Sequence, residues 1–123
     1  MASGPLLIHK GKIPVFPVES NHEFYVDRHP RSAIGVGKGK HIVMVTVDGR
    51  QPGHAGGASI KEMAYLMKQL GCGDAINLDG GGSTTLWSHK APGKGVLNSP
   101  STNKRFDHEG ERPNASILMI KHK

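Results

Sequence analysis

The sequence predicts an α/β (or α+β) domain with a mixed β-sheet, a central βαβ unit and one main helix at about residues 59–70. Three observations predict it. Apolar residues recur at helical spacing in this segment, and two short strand-like runs, residues 41–47 and 75–78, flank it. The stretch that contains both runs is close to the ~30 residues of a βαβ unit. With 123 residues, the chain is expected to form a single domain, because domains typically contain ~100–150 residues.

The helix is predicted from its start signal and its spacing. Ser59 and Glu62 match a capping box, in which each residue hydrogen-bonds the backbone of the other. Gly71 is a natural end for the helix. The apolar residues at helical spacing are Ile60, Met63, Met67 and Leu70.

The remaining elements are predicted to be short strands and loops. Residues 32–36 and 41–47 are expected to form a β-hairpin that turns at residues 37–39. Residues 115–120 are an apolar run that fits a buried strand. Other predicted strands are residues 6–9, 75–78 and 84–87. Loops are predicted up to about residue 28, with edge-strand pieces, and over residues 91–111, with residues 96–97 extended.

The charge balance favours an anionic partner. The formal net charge is +6 and the pI is about 9.7, which suits phosphates, nucleic acid or acidic glycans. The basic residues are spread along the chain and form no basic tail, so a nucleic-acid-binding domain is a weaker alternative. The few aromatic residues (one Trp, two Tyr and three Phe) also argue against it, because single-strand binders stack bases on aromatic rings.

Cys72 is the only cysteine, which excludes an intramolecular disulfide and a cysteine zinc site. The N-terminal apolar run, residues 6–8, is too short for a signal peptide or for a membrane span of ~20 residues. The histidines show no metal-ligand spacing, and we expect no metal and no cofactor.

The candidate catalytic groups are two aspartates that each follow a predicted strand. In a βαβ unit the two strands run parallel, so Asp48 and Asp79 would lie at the same carboxyl edge of the sheet, where open α/β sheets bind ligands. Strands lie ~4.8 Å apart, which predicts a separation of roughly 5–10 Å for strands that are close neighbours. Such a carboxylate pair suits the cleavage of a glycosidic bond.

Groups that could bind an anion follow Asp79. Residues 80–82 are three glycines, whose backbone can turn successive amide groups toward one point and bind an anion. Ser83 and Thr84 add hydroxyl donors. Arg31 and Arg50 could each hold a phosphate through two parallel hydrogen bonds.

Several of these residues also have a purely structural interpretation. Aspartate followed by glycine is a common turn signal, so Asp48 has a turn role as an equal alternative. Glu62 is either only the capping partner of Ser59 or is also aimed at the site. Arg112 is a surface charge or a third contact to the anion.

Three common motifs are missing. The glycine triplet lacks the ending of a P-loop, and no Gly-x-Gly-x-x-Gly opens a helix after a strand. There is also no nucleophile elbow of the Gly-x-Ser-x-Gly type, so Ser83 is expected to be a donor rather than a nucleophile.

Four stretches of the sequence resemble the phosphodiester glycosidase family. They are RHPRSAIGV (28–36), VTVDGRQPG (45–53), SIKEMAYLMKQLGCGDAINLDGGGSTTLW (59–87) and ERPNASILMI (111–120). Together they cover a little over half of the chain, and the NLDGGGST segment is highly specific.

The resemblance implies a hydrolase that cleaves a sugar-1-phosphodiester, for example to remove N-acetylglucosamine from a phosphate-linked glycan. Bacterial relatives are often linked to exopolysaccharide or envelope glycans, and family members are often exported. The positions that match the family are Arg31, Asp48, Gly49, Arg50, Asn77, Asp79, Gly80, Gly81, Gly82, Ser83 and Arg112, with Glu62 as a weaker match.

One departure from the family concerns the N-terminal side. The family carries an asparagine-glycine-glycine-aromatic element before the arginine segment, and residues 1–27 contain nothing like it. The chain is therefore expected to be a domain without an N-terminal part, or one that is completed by another chain or a second copy. An inactive shortened domain that binds anionic glycans or sugar phosphates is the main alternative to an enzyme.

Overall fold

The computed structural model describes residues 3–115 and 117–123. A four-stranded sheet with one main helix gives an α+β fold. The predicted fold class, α/β or α+β, is therefore confirmed as α+β. The elements are β1 (Ser3–Ile8), a short helix α1 (His22–Tyr25), β2 (Arg31–Gly37), β3 (Ile42–Val47), α2 (Ile60–Gln69) and β4 (Cys72–Leu78). Single 3-10 turns at Lys38–Lys40 and Gly81–Ser83 complete the list.

The strand order in the sheet is β1-β4-β2-β3, and each neighbouring pair is antiparallel. The predicted hairpin is confirmed as β2 and β3, with Ala33 opposite Val45. Because β2 lies between β3 and β4 and is antiparallel to both, β3 and β4 are parallel but not adjacent. The predicted βαβ unit is therefore a split one, and a neighbouring parallel pair, as in a mixed sheet, does not occur among the described strands.

Helix α2 begins at the predicted capping box and lies on one face of the sheet. The Ser59 side chain accepts a hydrogen bond from the Glu62 amide, and the Glu62 carboxylate accepts one from the Ser59 amide at 2.8 Å. The buried residues of α2 are Ile60, Met63, Ala64 and Met67. In the described part of the chain, no helix is long and apolar enough to cross a membrane.

The hydrophobic core lies between α2 and the sheet. Leu7, Ile8 and Met63 are fully buried there, and burying a large apolar side chain contributes ~1.5–3 kcal/mol. Cys72 lies in the same core, where burial raises the pKa of its thiol.

The opposite face of the sheet is largely open. Side chains alternate between the two faces of a strand, so the residues between the core positions point away from α2. Val36, Ile42 and Met44 are on this face and are 46%, 56% and 39% exposed. Among the described residues, helix α2 thus covers one face of the sheet, and several side chains of the other face are exposed.

Two predicted strands do not form in the structure. Residues 84–87 contain only an isolated bridge between Trp87 and Val96, because the Asn98 side chain accepts the hydrogen bond of the Leu86 amide. Residues 117–120 are irregular and exposed, since no described strand pairs with them, and Ser116 of the predicted strand lies outside the described residues. An apolar run becomes a strand only when another strand pairs with its backbone.

The N-terminal segment is more regular than predicted. β1 pairs with β4 at the edge of the sheet, in line with the expected edge-strand pieces. Helix α1 lies in the segment that was predicted to be loop. Its cap is Asn21, whose side chain accepts a hydrogen bond from the Phe24 amide at 3.1 Å.

Candidate active site

Asp48 and Asp79 lie at the same edge of the sheet. Each follows the carboxyl end of its strand, and β3 and β4 point in the same direction. Since β2 lies between them, the strand ends are two strand spacings, about 10 Å, apart. The edge is therefore the predicted one, whereas the two strands are not the close neighbours that the predicted separation assumed.

Asp79 opens into a cavity of about 550 Å³, which we call the Asp79 cavity. It contains a second carboxylate residue, Glu23, which the sequence reasoning missed because α1 was not predicted. The N-cap pattern of Asn21 followed by a polar residue and Glu23 is the local signal that could have indicated this helix. The polar residues that line the cavity include Glu23, His29, Arg31, Arg50, Asn77 and Asp79.

The glycine triplet is required for close packing beside Asp79. A Cβ on Gly80 would lie 2.7 Å from the Pro30 carbonyl oxygen, and one on Gly81 would lie 3.2 Å from Nη1 of Arg50. Gly81 also has a positive φ of 60°, which glycine adopts readily. No larger residue fits this loop without displacing its neighbours.

The backbone amides of this loop are used mainly within the protein. The Gly80 amide donates to Asp79 Oδ1 at 3.0 Å, and the Gly81 amide donates to the Pro30 carbonyl at 2.8 Å. The Ser83 amide donates to the Gly80 carbonyl at 3.2 Å. These three donors are thus used within the protein, by the Asp79 carboxylate, the Pro30 carbonyl and the 3-10 turn, whereas the sequence predicted amides turned toward an anion.

Arg50 and Arg112 place exposed guanidinium groups on the two sides of the loop. The Arg50 Nη2 atom lies 3.3 Å from His29 Nδ1. Arg112 Nη2 donates to Ser83 Oγ at 2.9 Å, and its guanidinium carbon would be 3.1 Å from a Cβ on Gly82. The close approach of Arg50 to Gly81 and of Arg112 to Gly82 therefore requires that these two positions carry no side chain.

Arg31 has a different environment from Arg50. Arg31 is only 3% exposed. Its Nε atom donates a hydrogen bond to the Ala58 carbonyl at 2.9 Å, and its Nη2 atom donates to the carbonyls of Phe24 and Asp27. Burial and, to a smaller extent, the charge of Arg50 lower the pKa of Arg31. Arg31 thus holds α1 against the start of β2, and these two nitrogens are used by the protein itself.

Asp48 binds a loop rather than the Asp79 cavity. Its Oδ1 accepts from Asn98 Nδ2 at 2.9 Å, and its Oδ2 accepts from the Ser99 amide at 3.0 Å. Asn98 is 9% exposed and was not singled out from the sequence, because its partner lies 50 residues earlier. Gly49, next to Asp48, packs closely against the chain, because a Cβ added at this position would lie 2.8 Å from the Cα atom of Gly57.

Three further candidate residues contact other parts of the protein or are buried. Asn77 is 2% exposed and donates to the Gly4 carbonyl at 3.0 Å. Thr84 is 1% exposed, so its hydroxyl does not face solvent. Glu62 caps α2 and pairs with Arg28, and this hydrogen bond, followed by that from the Ser59 backbone, lowers the pKa of Glu62.

A second cavity of about 590 Å³ adjoins the loop, and Arg50 lines both cavities. Gly82 and Arg112 also line it, together with residues 101, 102 and 104. Among the described residues, no group of three or more His, Cys, Asp or Glu side chains could hold a metal ion. The chemistry available at this edge is that of carboxylates beside cationic side chains.

The Phosphodiester glycosidase family model matches residues 1–121. Over 57 residues, 46% of this chain, the sequence is 42% identical to the SPbeta prophage-derived uncharacterized protein YomE of Bacillus subtilis, of which it spans 9%.

Solved structures are similar as well. A Burkholderia pseudomallei protein shares 42% identity with a TM-score of 0.57, over 63% of this chain and 14% of that one. The catalytic domain of zebrafish N-acetylglucosamine-1-phosphodiester alpha-N-acetylglucosaminidase shares 27% identity with a TM-score of 0.62, over 78% of this chain and 33% of that one. This chain therefore spans a minor part of each relative.

The family match covers nearly the whole chain. The predicted family is confirmed. The chain belongs to the phosphodiester glycosidase family.

Proposed function

We propose that this domain hydrolyses the bond between the anomeric carbon of a sugar and a phosphodiester, as in the removal of N-acetylglucosamine from a phosphate-linked glycan. The observation that carries the proposal is the Asp79 cavity, where an exposed carboxylate and the guanidinium of Arg50 line the same space. Family membership and the activity named for the zebrafish relative support it.

In this proposal Asp79 acts on the sugar and the arginines bind the phosphate. Asp79 serves as the acid, base or nucleophile at the anomeric carbon. Arg50 and Arg112 bind the phosphoryl oxygens through charge-assisted hydrogen bonds, for which a planar guanidinium is well suited. Gly81 and Gly82 allow these two side chains to approach the loop, and Ser83 orients Arg112.

The second carboxylate of the pair is either Asp48 or Glu23. The strands that end at Asp48 and Asp79 are about 10 Å apart, a spacing of their backbones that side chains of this length can bridge to the ~5–9.5 Å between the carboxyl groups of glycosidases. However, both Asp48 oxygens already accept hydrogen bonds from residues 98 and 99. Glu23 lines the same cavity as Asp79, so it is the stronger candidate.

The test is hydrolysis of an N-acetylglucosamine-1-phosphodiester by the wild type and by Asp79→Asn. The substitution is expected to lower kcat about 100-fold or more, the usual effect of losing a catalytic acid or base. Asp74→Asn is a matched control, because Asp74 lies on the same strand near its other end. An unchanged rate for Asp79→Asn would refute the assignment.

Two further variants identify the partner of Asp79. If Glu23 is the second carboxylate, Glu23→Gln lowers kcat while leaving the free energy of unfolding nearly unchanged, since this residue is exposed. If Asp48 acts only by holding its loop, Asp48→Asn lowers stability and activity together.

A binding domain without turnover is the second candidate function. The observation that favours it is the second cavity, which is lined by cations and by no carboxylate. It predicts saturable binding of a sugar phosphate together with no hydrolysis in the same preparation. Isothermal titration of the substrate and an assay for the released sugar distinguish this function from the enzyme.

A further inference from the structure

Three cationic side chains line the second cavity. Arg50, Lys104 and Arg112 line it, together with Gly82, Ser101 and Thr102; we call it the three-cation cavity. None of the three cations forms an ion pair with a carboxylate in the described part of the chain. Like charges that share a cavity repel each other, so the arrangement is suited to an anion.

The cavity is assembled from separate segments of the chain. Arg50 and Lys104 have positive φ angles of 56° and 57°, a conformation that is uncommon for residues other than glycine and is often found at functional sites. The turn at Lys104 is closed by its amide, which donates to the Ser101 carbonyl at 3.0 Å. Thr102 Oγ1 donates to the Gly82 carbonyl at 3.3 Å and ties this turn to the glycine loop.

The position of Arg50 connects this cavity to the reaction. Arg50 lines both the Asp79 cavity and the three-cation cavity, so a phosphoryl group at Arg50 has the sugar that is removed on one side and the remainder of the leaving phosphomonoester on the other. A phosphodiester carries one negative charge, and two arginines are enough to bind it. Lys104 is a third cation on the leaving-group side.

The hydrolysis itself creates the additional negative charge. Water adds its oxygen to the anomeric carbon and gives a proton to the carboxylate and then to solvent. The bond between the anomeric carbon and the phosphate oxygen breaks, and its electron pair stays on that oxygen. The released phosphomonoester then carries about −1.5 to −2 charges at pH 7.

We infer that the three-cation cavity is a phosphomonoester site, in which Lys104 favours the more highly charged monoester over the diester. Naming the monoester as the reaction product rests on the proposed function, whereas its binding does not. Lys104 is then a specificity-determining residue on the leaving-group side, and simple phosphomonoesters inhibit the reaction by occupying this cavity.

The test is isothermal titration of the full chain at pH 7.5 with methyl phosphate, a monoester, and dimethyl phosphate, a diester. The wild type is expected to bind the monoester more tightly. Lys104→Gln should weaken monoester binding about tenfold or more, as expected for a lost charge-assisted contact, and should weaken diester binding much less. Lys104→Arg, which keeps the charge, should retain the preference.

Lys90→Gln is the matched control, because Lys90 is exposed and outside both cavities. The inference is overturned if the wild type does not bind methyl phosphate, if Lys104→Gln weakens both probes equally, or if Lys90→Gln has the same effect. Methyl phosphate that binds without any sugar hydrolysis supports this site and refutes the proposed enzyme. Hydrolysis of the sugar phosphodiester without binding of methyl phosphate supports the proposed enzyme and refutes this site.

Discussion

Replacing Asn98 by alanine tests whether Asp48 stabilises the site through the loop that it holds. The Asn98 side chain makes three hydrogen bonds: to Asp48 Oδ1 at 2.9 Å, to the Thr84 carbonyl at 2.9 Å and from the Leu86 amide at 2.8 Å. A bond to a charged group contributes ~1.5–3 kcal/mol and a neutral one ~0.5–1.5 kcal/mol. We therefore expect Asn98→Ala to lower the free energy of unfolding by about 2.5–6 kcal/mol.

The measurement is urea unfolding of the wild type and the variant at pH 7, with linear extrapolation of the free energy to zero denaturant. Asn114→Ala is the matched control, since Asn114 is exposed and surface substitutions usually change stability by less than ~0.5 kcal/mol. A loss below about 1 kcal/mol for Asn98→Ala would show that these three bonds do not anchor the loop. In that case Asp48 would need another role at the site.

Two other perturbations test the glycine loop and the helix cap. Gly80→Ala places a Cβ 2.7 Å from the Pro30 carbonyl and should cost ~1–3 kcal/mol of stability by overpacking, whereas Gly73→Ala meets nothing within 4 Å; urea unfolding that gives equal values for both would refute the close contact. Glu62→Gln removes the charge that pairs with Arg28. Because the pKa of Glu62 in the folded protein is below its ordinary value of 4.5, the pair stabilises the fold above that pH and is lost as the pH falls through the lower folded pKa. The unfolding temperatures of wild type and Glu62→Gln should therefore differ at pH 7 and converge as the pH falls through the lowered pKa of Glu62; a difference that does not depend on pH would contradict this.

Predictions from the sequence were most accurate where local interactions decide the structure. The capping box of Ser59 and Glu62 involves residues three positions apart, and the β2–β3 hairpin pairs strands joined by a short turn. The same local pattern misled at residues 117–120, where an apolar run predicts a strand but no described strand pairs with it. A strand needs a partner, and the sequence of the strand alone does not provide one.

At the candidate site, too, the sequence indicated residues of local motifs and missed residues that distant parts of the chain bring there. Asp79, the glycine triplet, Arg50 and Arg112 line two cavities that share Arg50. The sequence predicted a site with Asp79, the triplet and Arg50, and left Arg112 as either a surface charge or a third contact to the anion. It did not indicate Glu23, Lys104 or Asn98. These residues reach the site through contacts between distant parts of the chain, such as the hydrogen bond between Asp48 and Asn98 across 50 positions.

The sequence by itself determined the family, the helix, the hairpin and the edge of the sheet at which Asp48 and Asp79 lie. The tertiary structure decided how these groups are used. The antiparallel strand β2 separates β3 from β4, so Asp48 holds residues 98 and 99 while Asp79 lines a cavity with Glu23. A helix cap or a hairpin depends on residues that are close in the sequence. The partner of each carboxylate depends instead on which strand lies between β3 and β4.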